Sequence, residues 1–301
     1  MLYFEPVQNL DISKYCDFVS KYAFKTHSCE YSYANIIAWE DIYDTKFSID
    51  NEYILFKMSF DNSEFYLGPV CSCSDTEKTF LKIAHALKKS GENEANFICL
   101  TDTHIKALKY AFPKAYISQD TGNMCDYIYE TDKLSTFSGK ALHSKRNHLN
   151  KFLSLYNNRF RYEKMTKDNS LLCLEFNNKW YELNSEYSLD NERIATERLL
   201  KNFDRLNLLG GMLYIDNLLC AYTISSVNPC NKEQLIIHAE KGFYEYNGIY
   251  PAICSEFLKQ QDSNIKYVNR EDDAGDEGLK KSKLSYRPTF FENKYTAKIF
   301  F

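Results

Sequence analysis

Tyr267-Val-Asn-Arg-Glu-Asp-Asp-Ala-Gly-Asp-Glu-Gly-Leu-Lys-Lys-Ser-Lys-Leu-Ser-Tyr-Arg-Pro288 packs the end of an apolar strand, an acidic turn and a lysine-rich helix into 22 residues. Ile265, Tyr267 and Val268 carry the strand. The acids Asp272, Asp273, Asp276 and Glu277 precede Lys280, Lys281, Lys283 and Arg287. That order suits the dipole of any helix, so it needs no ligand to explain it. Asn269-Arg270 on the strand end and the spacing of Gly275 and Gly278 have no such explanation. A strand end that feeds a helix start is where ligand chemistry is usually placed. Glu271 and Asp272 are therefore candidate general bases or holders of an amine. Arg270 is a candidate for orienting a carbonyl or phosphate by a bidentate contact, and Asn269 and Tyr286 are candidates to line the pocket.

Working backward, the strand Glu233–Glu240 carries His238 and Glu240, and a helix is predicted over Tyr250–Gln260. Gly210–Ile224 reads as a hairpin turning at Asp216-Asn217. Helices are predicted at Lys140–Tyr156, Ser170–Ser185 and Asn191–Leu206. The preceding half shows the same order. It has a helix from Ile12, a strand pair turning at Asp50-Asn51 and a strand stopped by Gly68-Pro69. A helix over Thr76–Lys89, the strand Asn96–Leu100, a helix near His104–Tyr110 and a strand from Cys125 follow. Helices, hairpin, strand, helix, strand in each half give an α+β chain in two copies of one architecture, with domains over 1–135 and 136–301. The terminal segment Tyr295–Phe300 reads as a further strand.

The second charged feature is Lys140-Ala-Leu-His-Ser-Lys-Arg-Asn-His-Leu-Asn-Lys151. Between Ser138 and Lys164 there are seven Lys or Arg against the single acid Glu163, in a chain of net charge −4. On a helix Leu142, Leu149 and Leu153 face inward, and Lys140, Lys145, Arg146, His148 and Lys151 spread over the other flanks. Such a surface attracts phosphates, and Lys281 and Lys283 add to the basic set. A solvated helix with no ligand would look the same.

The mild net charge argues against wholesale binding to nucleic acid or anionic membrane. The ten cysteines are scattered, several within apolar runs such as Ile98-Cys99-Leu100, as reduced core cysteines are. Cys71-Ser-Cys73 has no CxxC or His-rich partner, so no metal site is expected. With no basic leader and no apolar run of membrane-spanning length, a cytoplasmic location is expected.

Phe137-Ser-Gly-Lys140, Lys145-Arg-Asn-His-Leu-Asn-Lys-Phe152 and the stretch from Tyr267 to Pro288 together resemble soluble members of the phosphatidylglycerol lysyltransferase C-terminal domain family. The resemblance implies two tandem GNAT-like domains, with mixed, mostly antiparallel sheets flanked by helices and the site in the second. Membrane-anchored members of that family move a lysyl group from lysyl-tRNA to phosphatidylglycerol. The related Fem enzymes use aminoacyl-tRNA to build peptidoglycan cross-bridges. The expected function is thus transfer of an acyl or aminoacyl group to an amine or hydroxyl, with no further cofactor. Glu240, Glu271 or Asp272 would take the proton, and Arg270 with a backbone N–H would hold the oxyanion. Lys145, Arg146 and Lys151 would hold the phosphates of a tRNA or a phosphorylated small molecule, with peripheral lipid contact allowed. CoA is disfavoured as donor. In CoA enzymes the junction after the His238 strand carries a basic Gly-rich loop, but here only Gly242 and Gly248 stand beside Glu240 and Glu245. Two alternatives remain: a non-catalytic GNAT pair binding RNA or a phosphorylated metabolite, and an acyl-CoA-dependent N-acyltransferase.

Overall fold

A computed structural model describes residues 2–22, 24–119, 124–184 and 190–301. It divides into two compact units. The first holds residues up to Asp126 together with Pro229–Asn231 and Glu292–Phe301; the second holds Tyr127–Asn228 and Lys232–Phe291.

In chain order the first stretch comprises β1 (Glu5–Pro6), α1 (Ile12–Lys21), α2 (Tyr33–Ala38), β2 (Lys46–Ile49), β3 (Tyr53–Phe60), β4 (Ser63–Leu67), β5 (Val70–Cys71), α3 (Thr76–Lys89), β6 (Glu94–Leu100), α4 (Asp102–Ala111) and β7 (Tyr116–Gln119). Local chemistry starts the helices. Asp11 accepts from the backbone N–H groups of Ser13 and Lys14 at the head of α1. Thr101 and His104 form a capping box at the head of α4. Phe80, Ile83, Ala84 and Leu87 recur at helical spacing on α3 and are buried.

The next stretch comprises β8 (Asp126–Glu130), α5 (Thr131–Thr136), α6 (His143–Tyr156), β9 (Phe160–Lys164), α7 (Leu172–Leu183), α8 (Asp190–Lys201), β10 (Leu209–Ile215), β11 (Leu218–Val227) and β12 (Gln234–Gly242). After these come α9 (Ile249–Leu258), β13 (Tyr267–Asn269), α10 (Glu277–Ser285), β14 (Phe290–Glu292) and β15 (Tyr295–Phe300). The predicted helices are present: α3 spans its predicted bounds, α4 is longer, and α6 and α7 are shorter; Ser185 lies outside the described residues. Asp216 and Asn217 both take positive φ, 50° and 68°, as a two-residue hairpin turn requires.

The two sheets share one plan. The first runs β1-β2-β3-β4-β6-β15-β7 and the second β14-β8-β13-β12-β11-β10-β9. Each has a single parallel pair among the registers described, β4 with β6 and β12 with β13. Parallel neighbours need a long crossover, supplied by α3 in one and α9 in the other. Beyond each parallel pair stands a strand that is not next in sequence. β15 pairs antiparallel with β6 and β7, and β8 pairs antiparallel with β13. The strand that follows β7 in the chain thus completes the second sheet, and the strand that follows β14 completes the first. For this reason residues 127–135 join the second unit and the terminal strand joins the first.

The core of the second unit joins Leu213, Ile215, Leu235, Ile237 and Val268 of the sheet to Leu149 and Phe152 of α6 and to Ile253, Phe257 and Leu258 of α9. Each of these large side chains contributes roughly 2 kcal/mol by leaving water. Gly248, at φ 83°, lets α9 start against α6, because a Cβ there would stand 2.3 Å from the His148 carbonyl oxygen. None of the ten cysteines is in a disulfide, and eight are buried.

Candidate active site

The site is built where β12 and β13 part. Their pairing covers Gln234–Ile236 against Tyr267–Asn269 and stops, although β12 continues to Gly242. The chain after Asn269 stays with β8 instead: the N–H of Arg270 donates to Tyr127 O, and the N–H of Tyr127 to Glu271 O. Glu271 turns the backbone at φ 58°, and its N–H is held by Asn269 Oδ1 at 2.6 Å.

β12 bulges at the same level. Ile224 of β11 opposes Ala239 and Ser225 opposes Ile237, which leaves His238 as the extra residue. A bulge shifts the alternation of faces by one. Glu240 thereby faces Arg270, and Lys241 is turned the other way, its ammonium 3.9 Å from the Trp180 ring centre.

Side chains bridge the gap that the backbone leaves. Arg270 Nη2 donates to Glu240 Oε1 at 2.7 Å, with Arg270 13% and Glu240 6% exposed. His238 Nδ1 lies 2.8 Å from Glu271 Oε1, and His238 Nε2 lies 2.8 Å from Ser226 Oγ. Lys283 turns inward from α10 and donates to the carbonyl oxygens of Arg270 and Asp272, pinning the segment between them. Tyr127 Oη donates to Asp273 Oδ2 at 2.5 Å.

Arg270 Nη1 is buried and unpartnered. A buried unpaired guanidinium N–H costs free energy, and a preorganised donor at a reaction centre is such a group. Burial pushes the Glu240 carboxyl up from the usual range, against the pull of Arg270, Lys145 and Lys283. The Arg270 guanidinium stacks 4.6 Å from the centre of the Tyr286 ring, and Lys145 Nζ stands 3.8 Å from the same ring centre. Beside Tyr286 lies a cavity of about 300 Å³, lined also by Tyr129, Lys133, Gly139, Lys140 and Arg287.

The structure thus brings together Glu240, Arg270, Lys145, Lys283 and Tyr286. Glu271 and His238 form a neighbouring relay with Ser226, Asn269 is buried beneath the turn, and Asp272 Oδ1 accepts from the N–H of Ala274. The basic helix is not one surface. Arg146 Nη1 is taken by the carbonyl oxygens of Phe137 and Gly139, whereas Lys140, His148, Lys151 and Lys281 are exposed. Ser226, Tyr129 and Cys254 escaped the sequence reading, because no local pattern marks residues that meet only through the sheet.

Two α+β halves with one parallel strand pair each define the tandem GNAT-like fold. More particularly, residues 22–298 match the family described as phosphatidylglycerol lysyltransferase, C-terminal, and the chain belongs to it. A curated protein of Mycoplasmoides gallisepticum is 30% identical over 206 residues, 66% of this chain; the chain spans 63% of that relative's length. Among solved structures, a conserved Bacteroides thetaiotaomicron protein of unknown function aligns over 99% of this chain and 100% of its own, at 29% identity and a TM-score of 0.89. The structure of L-PGS from Bacillus licheniformis aligns over 95% of this chain and 91% of its own, at 13% identity and a TM-score of 0.65, a likeness of fold. Among the described residues no helix is long and apolar enough to cross a membrane.

Proposed function

We propose that the second unit transfers an aminoacyl group from a phosphate-bearing donor, an aminoacyl-tRNA, to an amine or hydroxyl acceptor. The observation that carries this reading is the buried, unpartnered Nη1 of Arg270 beside Glu240. A donor already stripped of water, held by a carboxylate on its other nitrogen, suits the oxygen of an acyl carbonyl as it gains charge. The cavity beside Tyr286, with Lys133, Lys140 and Arg287 on its walls, supplies cations for the donor's phosphates. CoA fits this reading poorly, because the gap past the β12–β13 pair is bridged by Arg270–Glu240 and His238–Glu271.

A donor screen tests it. Radiolabelled aminoacyl-tRNAs and acyl-CoAs are offered with lipid, peptide and small-amine acceptors. Transfer from an aminoacyl-tRNA is expected. It should fall about 10²–10³-fold in Arg270→Lys, which keeps a cation opposite Glu240 but removes Nη1. Undiminished transfer in that variant would overturn the role of Arg270, and calorimetric binding of CoA would favour the acyl-CoA alternative.

A further inference from the structure

Lys145 differs from the neighbouring lysines of the basic segment. It is half-buried, whereas Lys140 and Lys151 are exposed. It makes no ion pair with a carboxylate among the described residues. Its ammonium and the Arg270 guanidinium sit against one aromatic ring, that of Tyr286, 3.8 Å and 4.6 Å from the ring centre. Two cations are thus gathered on one ring at a partly dry site, and the carboxylate Glu240 there bonds to Arg270. Arginine keeps its proton under any such pressure, so the lysine is the group that yields.

We propose that Lys145 is the general base and acid of the transfer reaction: it accepts the proton of the attacking amine or hydroxyl and returns it to the leaving group. The proposal rests on the transferase reading above and adds a residue role to it.

In the step, the acceptor's oxygen or nitrogen lone pair forms a bond to the acyl carbon. Its proton passes to the lone pair of the neutral Lys145 amine, and the carbonyl π electrons move to oxygen, opposite Arg270 Nη1. On collapse the acyl–oxygen bond of the donor ester breaks. The departing ribose oxygen takes the proton from the Lys145 ammonium. Nothing is oxidised, no proton is consumed, and the lysine ends neutral as it began. The groups facing Lys145 are Arg270 after β13, Glu240 on β12, Cys254 on α9 and Tyr286 after α10. Burial and then Arg270 lower its pKa to about 8, with Glu240 and Cys254 pulling the other way. A substantial neutral fraction is therefore present near neutral pH, as a base requires.

Two measurements decide it. In the first, wild-type protein is pulse-labelled with acetic anhydride at pH 6–11 and read by peptide mass spectrometry. Lys145 should follow a midpoint near 8, well below the roughly 10.4 of an ordinary lysine. In the second, Lys145→Arg, which keeps the charge for any phosphate but holds no exchangeable lone pair, should lower kcat by about 10²–10⁴-fold with donor binding unchanged. Lys145→Ala should be rescued in part by small primary amines, more strongly at higher pH.

Transfer by Lys145→Arg equal to wild type, or a Lys145 midpoint near the ordinary lysine value of about 10.4, would overturn the proposal while leaving the transferase reading standing. Should wild type transfer nothing from any donor, the transferase reading falls and the base role falls with it.

Discussion

The two units follow one strand plan but close the space past their parallel pairs in opposite ways. In the first, β4 and β6 pair at Tyr66–Phe97 and Leu67–Ile98. The space beyond is packed with neutral rings. A Cβ on Gly68 would stand 2.7 Å from Tyr31 Oη and 2.8 Å from the His104 ring. His104 Nδ1 accepts from the N–H of Thr101, and its Nε2 donates to Pro69 O at 3.0 Å, which fixes a neutral imidazole. Tyr31 Oη donates to Cys99 O. In the second unit the corresponding place holds Glu240, Arg270, His238 and Glu271, with one guanidinium N–H left over. The comparison teaches that this fold tolerates either filling. Of the two fillings only the charged one holds a buried guanidinium N–H without an acceptor, and this is what supports the proposal of chemistry in the second unit.

The first unit also has a buried charge cluster, and its members pair with one another. Lys294 is 2% exposed and pairs with Asp126 Oδ1 at 2.7 Å and Glu30 Oε1 at 2.8 Å. Removing one partner of a buried pair strands the others. Lys294→Met is therefore expected to destabilise the first unit by about 3–5 kcal/mol. The two tryptophans, Trp39 in the first unit and Trp180 in the second, allow single-tryptophan versions to report each unit in urea. A loss read equally by both probes would show that the units unfold together and would break the comparison at the level of stability.

A smaller effect comes from His104. Burial lowers its pKa to about 4. A histidine lowered in the folded state favours folding fully above its unfolded value. That contribution is lost as pH falls from about 6.5 toward 4, because the unfolded chain takes the proton first. The size is about 3 kcal/mol at most. Urea midpoints of the Trp39 reporter at pH 7 and pH 4.5 should diverge in wild type and converge in His104→Asn. Smallest is Ser226→Ala, which removes one hydrogen bond to His238. It should cost about 1 kcal/mol, read at Trp180. A large loss of transfer in this variant would extend the charged site to the relay.

Sequence reading recovered what is local. Helices with clear apolar spacing, such as α3 and α9, and the Asp216-Asn217 hairpin stand where the residues placed them. The strand β9 is weakly marked in the sequence, because Phe160-Arg-Tyr-Glu-Lys164 is a short, largely charged edge next to β10. The exchange of β8 and β15 left no trace in the residues, since a strand carries no mark of its partner. At the site, Arg270 was legible from its place after a strand. Its partner Glu240 is 30 residues away, and the bulge at His238 that aims it is a property of pairing, not of sequence. The basic helix was legible as a charge cluster, but which lysine turns inward is decided by Tyr286 and α9.

The exchanged strands bear on how the molecule comes into being. β15 belongs to the first sheet but is encoded after the whole second unit. During synthesis the first sheet must therefore wait, with the edges of β6 and β7 unpaired, until nearly all of the second unit has been made. Unpaired edges of this kind seek partners, so slow translation should expose this chain to strand-mediated association. By the same logic the first unit cannot be inherited or transplanted as one continuous segment, since a cut after Asp126 would rob its sheet of β15.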